Sequence, residues 1–255
     1  MKIISWNVNG IRASYKKGLL EFIERETPDI LCLQETKAHK EQLNDTQINP
    51  CGLLSHWSSA ERKGYSGTAT FLKDDCEKTE FGIGIAKFDS EGRFVVSDHG
   101  DFLLYNIYFP NGGSGPERHQ FKQEFLGALR EHLSQRLAAG REIIVVGDYN
   151  VARDEMDVYD PVELATESGF LPEEREWFKS FLSLGFVDVW RDFNPYEKNR
   201  FTWWDQRTRA RLANNGWRID YICVSENLAE KVTDAGILDE QEGSDHCPVY
   251  VELDV

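Results

Sequence analysis

Short apolar runs bounded by polar residues recur along the chain, and runs of this kind are typical of buried β-strands. They are rich in β-branched and aromatic residues, and each is too short for a core helix. We therefore predict a strand at each of them: KIISW (2–6), DILCLQ (29–34), GTATFL (67–72), FLLYNIYF (102–109), EIIVVG (142–147), DYICVS (220–225) and PVYVEL (248–253).

Three segments between these runs show helical patterns. In residues 116–139 large apolar side chains recur every four positions, and Gly140 follows as a stop. A second helix is predicted from Pro172 to about Leu184, because its Pro-Glu-Glu opening suits the first turn of a helix. A third helix is expected around Gly18 to Glu26. Strands mixed with helices, with no linker between them, predict one α/β or α+β domain over residues 1–255.

The formal net charge of −15 argues against a general nucleic-acid coat, because non-specific DNA binding depends on lysine and arginine neutralising phosphates. Basic residues nevertheless cluster locally. Any one cluster alone is best explained as a solvated face. Three clusters beside candidate motifs favour a local DNA footprint: Arg12, Lys16 and Lys17; Arg62 and Lys63; Arg207, Arg209, Arg211 and Arg218.

The five cysteines are odd in number, widely spaced and without a CxxC pair. This pattern predicts neither a disulfide framework nor a structural zinc site, and it is typical of the reducing cytoplasm. No segment approaches the roughly 20 apolar residues of a membrane-spanning helix. We therefore expect a soluble cytoplasmic protein with no membrane partner.

Polar residues fall at the ends of the predicted strands, where packing alone does not explain them. For any single residue, capping of a strand or turn is the better explanation. If the strand ends meet at one sheet edge, however, four carboxylates share a pocket. The residues concerned are Asn7, Asn9, Glu35, Tyr108, Asn111, Asp148, Asn150, Asp220, Asp245 and His246.

Four neighbouring carboxylates raise one another's pKa and destabilise a site unless a divalent cation neutralises them. Oxygen ligands suit Mg²⁺, whereas Zn²⁺ prefers histidine or thiolate ligands, and His246 is the only such residue in this set. A histidine beside aspartates also suits phosphoryl transfer, in which it stabilises charge on phosphate oxygens. The pattern predicts a Mg²⁺-dependent site, with Mn²⁺ as a substitute ion.

The motifs around these residues resemble the exonuclease III family of AP endonucleases, in the wider exonuclease–endonuclease–phosphatase superfamily with its DNase I-like fold. The resemblance spans nearly the full length. It implies a four-layer α/β sandwich of two packed mixed sheets flanked by helices. The motifs are SWNVNG (5–10), CLQETK (32–37), KGYSGTA (63–69), EGRF (91–94), YFPNG (108–112), GDYNVA (147–152), GFLPEEREW (169–177), FTWW (201–204), NGWRIDY (215–221) and GSDHCPV (243–249).

The resemblance also implies an activity. It is Mg²⁺-dependent hydrolysis of the DNA backbone 5′ to abasic sites, with some 3′–5′ exonuclease or 3′-end trimming. In this reading Glu35 is the principal metal ligand, Asn7 lies close by and Asp245 helps to hold the ion. Asp148 positions and activates the attacking water, and Asn150 orients it.

The same resemblance places further residues on the scissile phosphate. Tyr108, Asn111 and His246 contact it, and Asp220 orients and charges the imidazole of His246. Water then attacks phosphorus in line while the metal and His246 absorb charge, and the 3′ oxygen leaves.

The family resemblance implies that an apolar slot provides selectivity for the lesion, by accepting a flipped sugar that lacks its base. Trp203, Trp217 and Ile219 form this slot, and Trp204 is expected in the core. An abasic nucleotide has no stacking to lose, whereas an intact base must be unstacked at a cost of about a few kcal/mol. The residues that match duplex-backbone contacts are Arg12, Lys17, Lys37, Tyr65 and Arg93.

The sequence departs from the family pattern in two loops. Leu164 and Glu167 stand where relatives often carry asparagines that touch phosphates, and Ser114 stands where some carry a basic residue. The segment RTRAR (207–211), here called the RTRAR segment, is expected to compensate through Arg207 and Arg209. Asn9 stands where many relatives have aspartate.

Three alternatives stay open at this stage. The first is another superfamily activity, such as a sugar-phosphate or lipid phosphatase or a non-specific nuclease. The second is incision at uracil, and the third is a catalytically dead DNA-binding or scaffolding protein, against which the intact set of site residues argues. The expected partner is double-stranded DNA with abasic lesions, bound by a monomer.

Overall fold

Two six-stranded sheets stacked on each other occupy the centre of the computed structural model, which describes residues 1–255. The strands are β1 (Lys2–Asn7), β2 (Ile30–Gln34), β3 (Leu54–Ser58), β4 (Thr68–Leu72), β5 (Lys78–Glu80), β6 (Phe94–Asp98), β7 (Leu103–Tyr108), β8 (Ile143–Asp148), β9 (Phe186–Asp188), β10 (Trp203–Trp204), β11 (Gly216–Trp217), β12 (Asp220–Ser225), β13 (Val232–Ile237) and β14 (Val249–Leu253). The helices are α1 (Ile11–Tyr15), α2 (Leu19–Glu26), α3 (Asp45–Ile48), α4 (Ala86–Asp89), α5 (Pro116–Ala138), α6 (Pro172–Leu182), α7 (Val189–Phe193) and α8 (Glu226–Ala229).

Both large sheets are mixed. The first has the strand order β13-β14-β1-β2-β4-β3 and the second has the order β5-β6-β7-β8-β12-β9, while β10 and β11 form a separate pair. Within the large sheets the pairs β1–β2 and β7–β8 are parallel, and the other neighbours are antiparallel. In the second sheet Asp148 pairs with both Tyr108 and Asp220, so three predicted site residues lie side by side.

The core has four layers. Side chains such as Ile3, Ile144 and Val251 fill the space between the sheets. Helices α5 and α6 cover the outer face of the second sheet, and α2 covers that of the first. Because the central strands are buried on both faces, they read as continuous apolar runs. The predicted four-layer α/β sandwich is confirmed.

All seven predicted strands are present, as β1, β2, β4, β7, β8, β12 and β14, and the three predicted helices are α2, α5 and α6. The pattern did not indicate the edge strands β3, β5, β9 and β13, the interior strand β6, the separate pair β10 and β11, or the short helices. No helix is both long and apolar enough to cross a membrane.

Gly147 sets the position of the residue that follows it. Its φ is +144°, and a Cβ atom there would lie 1.9 Å from the carbonyl oxygen of Ile107 on the neighbouring strand. Only glycine permits so close an approach of two backbones. This approach fixes Asp148 at the very end of β8.

Candidate active site

The ends of the central strands bring the predicted polar residues together at one edge of the sandwich. Asn7 ends β1, Tyr108 ends β7 and Asp148 ends β8, while Asp220 begins the antiparallel strand β12. The loops that follow or precede these strands carry the rest. Three of these loop residues have the positive φ angles that non-glycine residues rarely adopt, namely Asn9, Glu35 and Asn150.

Asn7 links two carboxylates. Its amide nitrogen donates to Glu35 Oε1 at 3.1 Å and to Asp148 Oδ2 at 2.9 Å. The hydroxyl of Tyr108 donates to the same oxygen of Glu35 at 2.7 Å. Glu35, the predicted metal ligand, and Asp148, the predicted water-activating residue, therefore lie on either side of a single buried amide.

A second set of hydrogen bonds orients Asp148. The backbone N–H of Asn150 donates to Asp148 Oδ1 at 2.9 Å, and the Asn150 side chain donates to Oδ2 at 3.2 Å. Asn111 in turn donates to Asn150 Oδ1 at 3.0 Å. The structure thus joins Asn111, Asn150 and Asp148 in one chain of hydrogen bonds. The sequence analysis had predicted that these three residues lie close together at one sheet edge.

His246 lies between two aspartates. Its Nδ1 is 2.8 Å from Asp220 Oδ2, and its Nε2 is 3.8 Å from Asp148 Oδ2. Burial lowers the pKa of His246, but the carboxylates of Asp220 and Asp148 outweigh burial and raise that pKa to about 10. The imidazole is therefore charged and is oriented by Asp220.

Asp148 shows the opposite perturbation for a carboxyl group. Burial raises its pKa to about 7; the positive charge of His246 opposes this, and the charges of Asp220 and Glu35 add to it. A carboxyl group with a pKa near neutrality is suited to exchange protons with water.

The donor chemistry of the site fits a hard divalent cation. Ligand atoms of Asp148, Asp220 and His246 lie within 4.8 Å of one another, but the charged imidazole of His246 has no lone pair for a metal, so the two carboxylates are the available ligands of this group. Asp220 Oδ1 is buried and has no hydrogen-bond partner, which leaves one carboxylate oxygen free for a cation. Glu35 and Asn7 add oxygen donors a short distance away, and oxygen-rich sets of this kind are those that Mg²⁺ prefers.

Lys37, expected on the DNA backbone, instead contacts the carboxylate set. Its ammonium lies 2.6 Å from Glu35 Oε2 and also donates to Asn9 Oδ1. Asn9 donates to Asp245 Oδ1 at 2.9 Å. Burial raises the pKa of Glu35, but Lys37 outweighs burial, so the pKa is lowered and Glu35 is ionised. Asp245 is connected to Glu35 through Lys37 and Asn9.

Arg93 is also placed differently from the sequence-based expectation. It is 1% exposed, and its guanidinium donates to the Tyr108 carbonyl at 2.8 Å and to the Tyr65 hydroxyl at 3.0 Å. Arg118, which the pattern analysis did not single out, donates to the same hydroxyl at 2.8 Å. Because Arg93 is buried, it positions Tyr65 and Tyr108 and does not present its charge to a duplex.

An apolar cluster, here called the apolar wall, adjoins the candidate site residues. Trp217 and Ile219 are buried in a cluster with Leu164 and Phe170. The ring of Trp203, which is partly exposed, meets Trp217 edge to face at 6.3 Å. Leu164, at a position where the resemblance implied a phosphate contact, is buried and packs in this wall.

Trp203 and Trp204 point to different parts of the molecule. The indole N–H of Trp203 donates to Asp245 Oδ2 at 3.2 Å, which ties the wall to the carboxylates. Trp204 is buried among the residues between the two sheets, and its expected place in the core is confirmed.

Exposed basic residues surround the edge of the site. Arg12 and Lys17 are exposed, and Arg12 lines a cleft of about 490 Å³ with Lys16 and Lys37. The predicted inclusion of Arg218 in the basic footprint is wrong. This residue is 1% exposed, because its guanidinium is buried between two aspartates.

The three arginines of the RTRAR segment have different surroundings. Arg207 is exposed and paired with Asp205 at 3.2 Å, and Arg209 is exposed as well. Arg211 donates to the carbonyl of Gln241 at 2.9 Å, and its guanidinium lies 4.6 Å from the ring centre of Trp204. Arg211 therefore fastens the segment, whereas Arg207 and Arg209 are exposed to solvent, Arg207 in an ion pair with Asp205.

One supporting pair was missed by the sequence analysis. Lys122 and Glu174 form a fully buried ion pair, and Lys122 donates to the carbonyl of Asn150 at 2.8 Å. Glu174 accepts the backbone N–H groups of Gly169 and Leu171 at 2.6 and 3.1 Å. A lysine among the apolar residues of α5 was the available signal, since an unpaired charge is not kept in a core.

Two stacked sheets that present paired carboxylates, amides and an aspartate-bound histidine at one edge define a metal-assisted phosphoester hydrolase. The chain belongs to the Endonuclease/Exonuclease/phosphatase family, whose sequence profile matches residues 4–246. This is a family of metal-dependent nucleases.

Named relatives cover the whole chain. An exodeoxyribonuclease of Bacillus subtilis (strain 168) is 40% identical over 256 residues, with 100% of both chains covered. A DNA-(apurinic or apyrimidinic site) endonuclease of Dictyostelium discoideum is 38% identical, with 100% of this chain and 71% of the relative covered. These matches identify the chain as a hydrolase of the same family.

Solved structures agree with this assignment. An AP endonuclease from Archaeoglobus fulgidus superposes with a TM-score of 0.91 at 31% identity, covering 100% of both chains. The 3′ phosphatase NExo from Neisseria, bound to a product DNA hairpin, also superposes with a TM-score of 0.91, at 28% identity and with 100% of both chains covered.

Proposed function

We propose that this protein is a DNA repair phosphodiesterase that uses Mg²⁺ to hydrolyse the backbone 5′ to abasic sites. The observation that carries the proposal is the apolar wall of Trp203, Trp217 and Ile219 directly beside the Asp148–His246 pair. A wall of this kind accepts a sugar without a base and excludes an intact nucleotide. The abasic-site endonucleases among the relatives support the same substrate.

Each catalytic residue has a task that its contacts allow. Asp148, held by Asn7 and Asn150, takes a proton from the attacking water. His246, charged and oriented by Asp220, stabilises the negative charge that develops on the phosphate oxygens.

The metal and the remaining polar residues complete this arrangement. A divalent cation held by Glu35 with Asn7 and Asp245 supplies further positive charge at the phosphate when bound. Tyr108 and Asn111, whose donors now contact Glu35 and the Asn150 side chain, turn these donors to the phosphate when DNA is bound.

Trimming of 3′ ends is a second activity of the same site. Its support is the likeness to a 3′ phosphatase bound to product DNA and to an exodeoxyribonuclease. The protein acts on double-stranded DNA as a monomer in the cytoplasm, through a single domain spanning residues 1–255. Five free cysteines suit that reducing compartment.

The substrate is tested with four matched duplexes that carry an abasic analogue, uracil, a 3′ phosphate or no lesion. With Mg²⁺ we expect incision 5′ to the abasic analogue to be fastest and the intact duplex to be cut slowest. Excess EDTA should abolish cleavage. Equal rates on all four duplexes, or full cleavage in EDTA, would refute the proposal.

Glu35→Ala should abolish incision at low Mg²⁺ and should recover part of the rate at high Mg²⁺. The reason is that removal of a carboxylate ligand weakens the site for a hard cation without removing the other oxygen donors. Rates are measured across a Mg²⁺ titration, with the exposed Glu21→Ala as control. An unchanged Mg²⁺ requirement would exclude Glu35 as a ligand.

Trp217→Ala should lower the ratio of abasic to intact-site cleavage more than it weakens binding to undamaged duplex. The ring forms the wall of the slot, so its removal admits a nucleotide that carries a base. The control is Trp57→Ala on the distant edge strand β3, and thermal unfolding of both variants monitors folding. An unchanged ratio in a folded variant would return Trp217 to a purely structural role.

Arg207→Ala and Arg209→Ala should each weaken DNA binding whatever the sequence. Each lost phosphate contact reduces the slope of log affinity against log salt by about 1. Binding is measured in Ca²⁺ to suppress cleavage, and Arg136→Ala on α5 serves as a control with no change in slope. Unchanged slopes in both variants would show that the RTRAR segment is only a solvated face.

Arg211→Ala should instead loosen the RTRAR segment, because Arg211 holds it to the carbonyl of Gln241.

A further inference from the structure

A second group of metal-ligand side chains lies away from the catalytic edge, where the two sheets come together at their edge strands. His56 belongs to β3, the edge strand of the first sheet. Asp75 and Cys76 lie in the connection from β4 to β5, which is the edge strand of the second sheet. One potential ligand atom from each of the three residues lies within 4.8 Å of the others.

The three ligands are already oriented towards one another. His56 Nε2 lies 3.4 Å from Asp75 Oδ1. The hydroxyl of Thr79 lies 3.0 Å from His56 Nδ1 and 3.2 Å from Cys76 Sγ. When Nδ1–H donates to this hydroxyl, and the hydroxyl donates to the sulfur, Nε2 and a thiolate are both left ready for a metal. A metal-bound histidine commonly has such a partner on its other nitrogen.

We propose that His56, Asp75 and Cys76 form a surface site for Zn²⁺ or a related borderline-soft divalent ion. Imidazole nitrogen, thiolate sulfur and carboxylate oxygen are the three ligand types that Zn²⁺ takes in proteins. In a tetrahedral zinc site the nitrogen and sulfur ligands lie about 3.5 Å apart, so small rotations of these side chains close the shell. Solvent supplies the fourth ligand, because Asp75 is largely exposed.

The ligand set distinguishes this site from the catalytic edge. The catalytic set is dominated by oxygen donors and contains no cysteine, which suits Mg²⁺, whereas a thiolate selects a softer ion. Cys76 must lose its proton on binding, and that proton passes to solvent. The sequence showed no sign of this site, because His56 lies on β3 whereas Asp75 and Cys76 lie in a later connection and form no CxxC pair.

Metal binding at this site should stabilise the folded protein. A metal held by β3 and by the connection that leads into β5 joins the two edge strands in the folded chain only. Ions that bind the folded chain alone raise its unfolding midpoint. The midpoint should therefore rise with Zn²⁺ concentration, and this rise should be lost in Cys76→Ser.

Cobalt gives a readout that the catalytic centre cannot produce. We would strip the full-length protein with a chelator, titrate it with Co²⁺ and record the thiolate-to-Co²⁺ charge-transfer absorption. We expect a saturable band at one Co²⁺ per chain, displaced by Zn²⁺. Cys76→Ser should abolish the band, and His56→Ala should weaken Co²⁺ affinity at least tenfold.

Two further variants complete the test. Cys51→Ser, which alters another exposed cysteine, should leave the band unchanged. Thr79→Val should weaken affinity about 10- to 100-fold, as loss of a partner of a metal ligand commonly does. A band that survives Cys76→Ser would overturn the proposal. Unchanged Co²⁺ affinity in His56→Ala would also overturn it, because it would show that Co²⁺ binds to the thiol of Cys76 without the histidine. Failure to see any saturable band would also overturn it.

Discussion

Asp148→Asn should lower the single-turnover rate of incision at an abasic site by about 10²–10⁴-fold while duplex affinity is retained. The amide is nearly the same size as the carboxylate and fills the same space, although its NH2 group meets a donor of Asn7 or Asn150 where the carboxylate oxygen accepts one. It cannot accept a proton from water, however, and the raised pKa of the Asp148 carboxyl group suits that task. Single-turnover kinetics and equilibrium binding in Ca²⁺ measure the two quantities separately.

The matched control is Asp101→Asn, in an exposed turn, for which we expect a normal rate. His246→Ala should behave like Asp148→Asn, because the charged imidazole lies 3.8 Å from the Asp148 carboxylate and has a separate role at the phosphate. A near-normal rate in either variant would show that the role assigned to that residue is wrong.

Most of the central strands could be predicted from the sequence because both of their faces are buried. The exception is β6, whose apolar run FVV has only three residues. A run such as EIIVVG has no polar face, and it becomes β8. Edge strands lack this signal. The strand β3 reads LSHWS and is mostly half-exposed, and β5 has only three residues, KTE. Their pairing depends on neighbours that are distant in the chain, so a local pattern does not reveal them.

The place of the candidate site could be predicted for a different reason. Polar residues that follow apolar strands are brought to one sheet edge by the fold, and Asn7, Tyr108 and Asp148 are found there. The basic residues could not be sorted in this way. Whether an arginine is exposed or buried depends on carboxylates elsewhere in the chain, and Arg218 meets Asp157 across a long sequence separation.

The surroundings of Arg218 show what this buried charge does. Its Nε and Nη2 donate to Asp157 at 2.8 and 3.0 Å, and its Nη1 and Nη2 donate to Asp188 at 3.1 and 2.8 Å. Arg191 and Arg153 contact the same two carboxylates from the outside. Arg218 also lies between the slot residues in sequence, so this ion-pair network supports the wall of the slot.

Arg218→Met should lower the free energy of unfolding by about 3–5 kcal/mol, because removing one partner of a buried ion pair leaves the other charge uncompensated. Urea denaturation measures the change, and the exposed Arg25→Met should stay within about 0.5 kcal/mol of the parent.

The loss of stability in Arg218→Met should depend on pH. Burial raises the pKa of Asp188, but Arg218 and Arg153 outweigh burial and lower that pKa. In the parent this carboxylate therefore adds stability above its unfolded pKa of about 3.9, and that stability is lost as the pH falls. In the variant Asp188 has lost the positive charge of Arg218, and protonation of Asp188 removes its unfavourable buried charge. The difference in the free energy of unfolding between parent and variant should therefore become smaller as the pH falls. A difference below about 1 kcal/mol at neutral pH would show that the network contributes little to the fold. A larger difference that stays constant on acidification would show that the loss does not depend on the ionisation of Asp188.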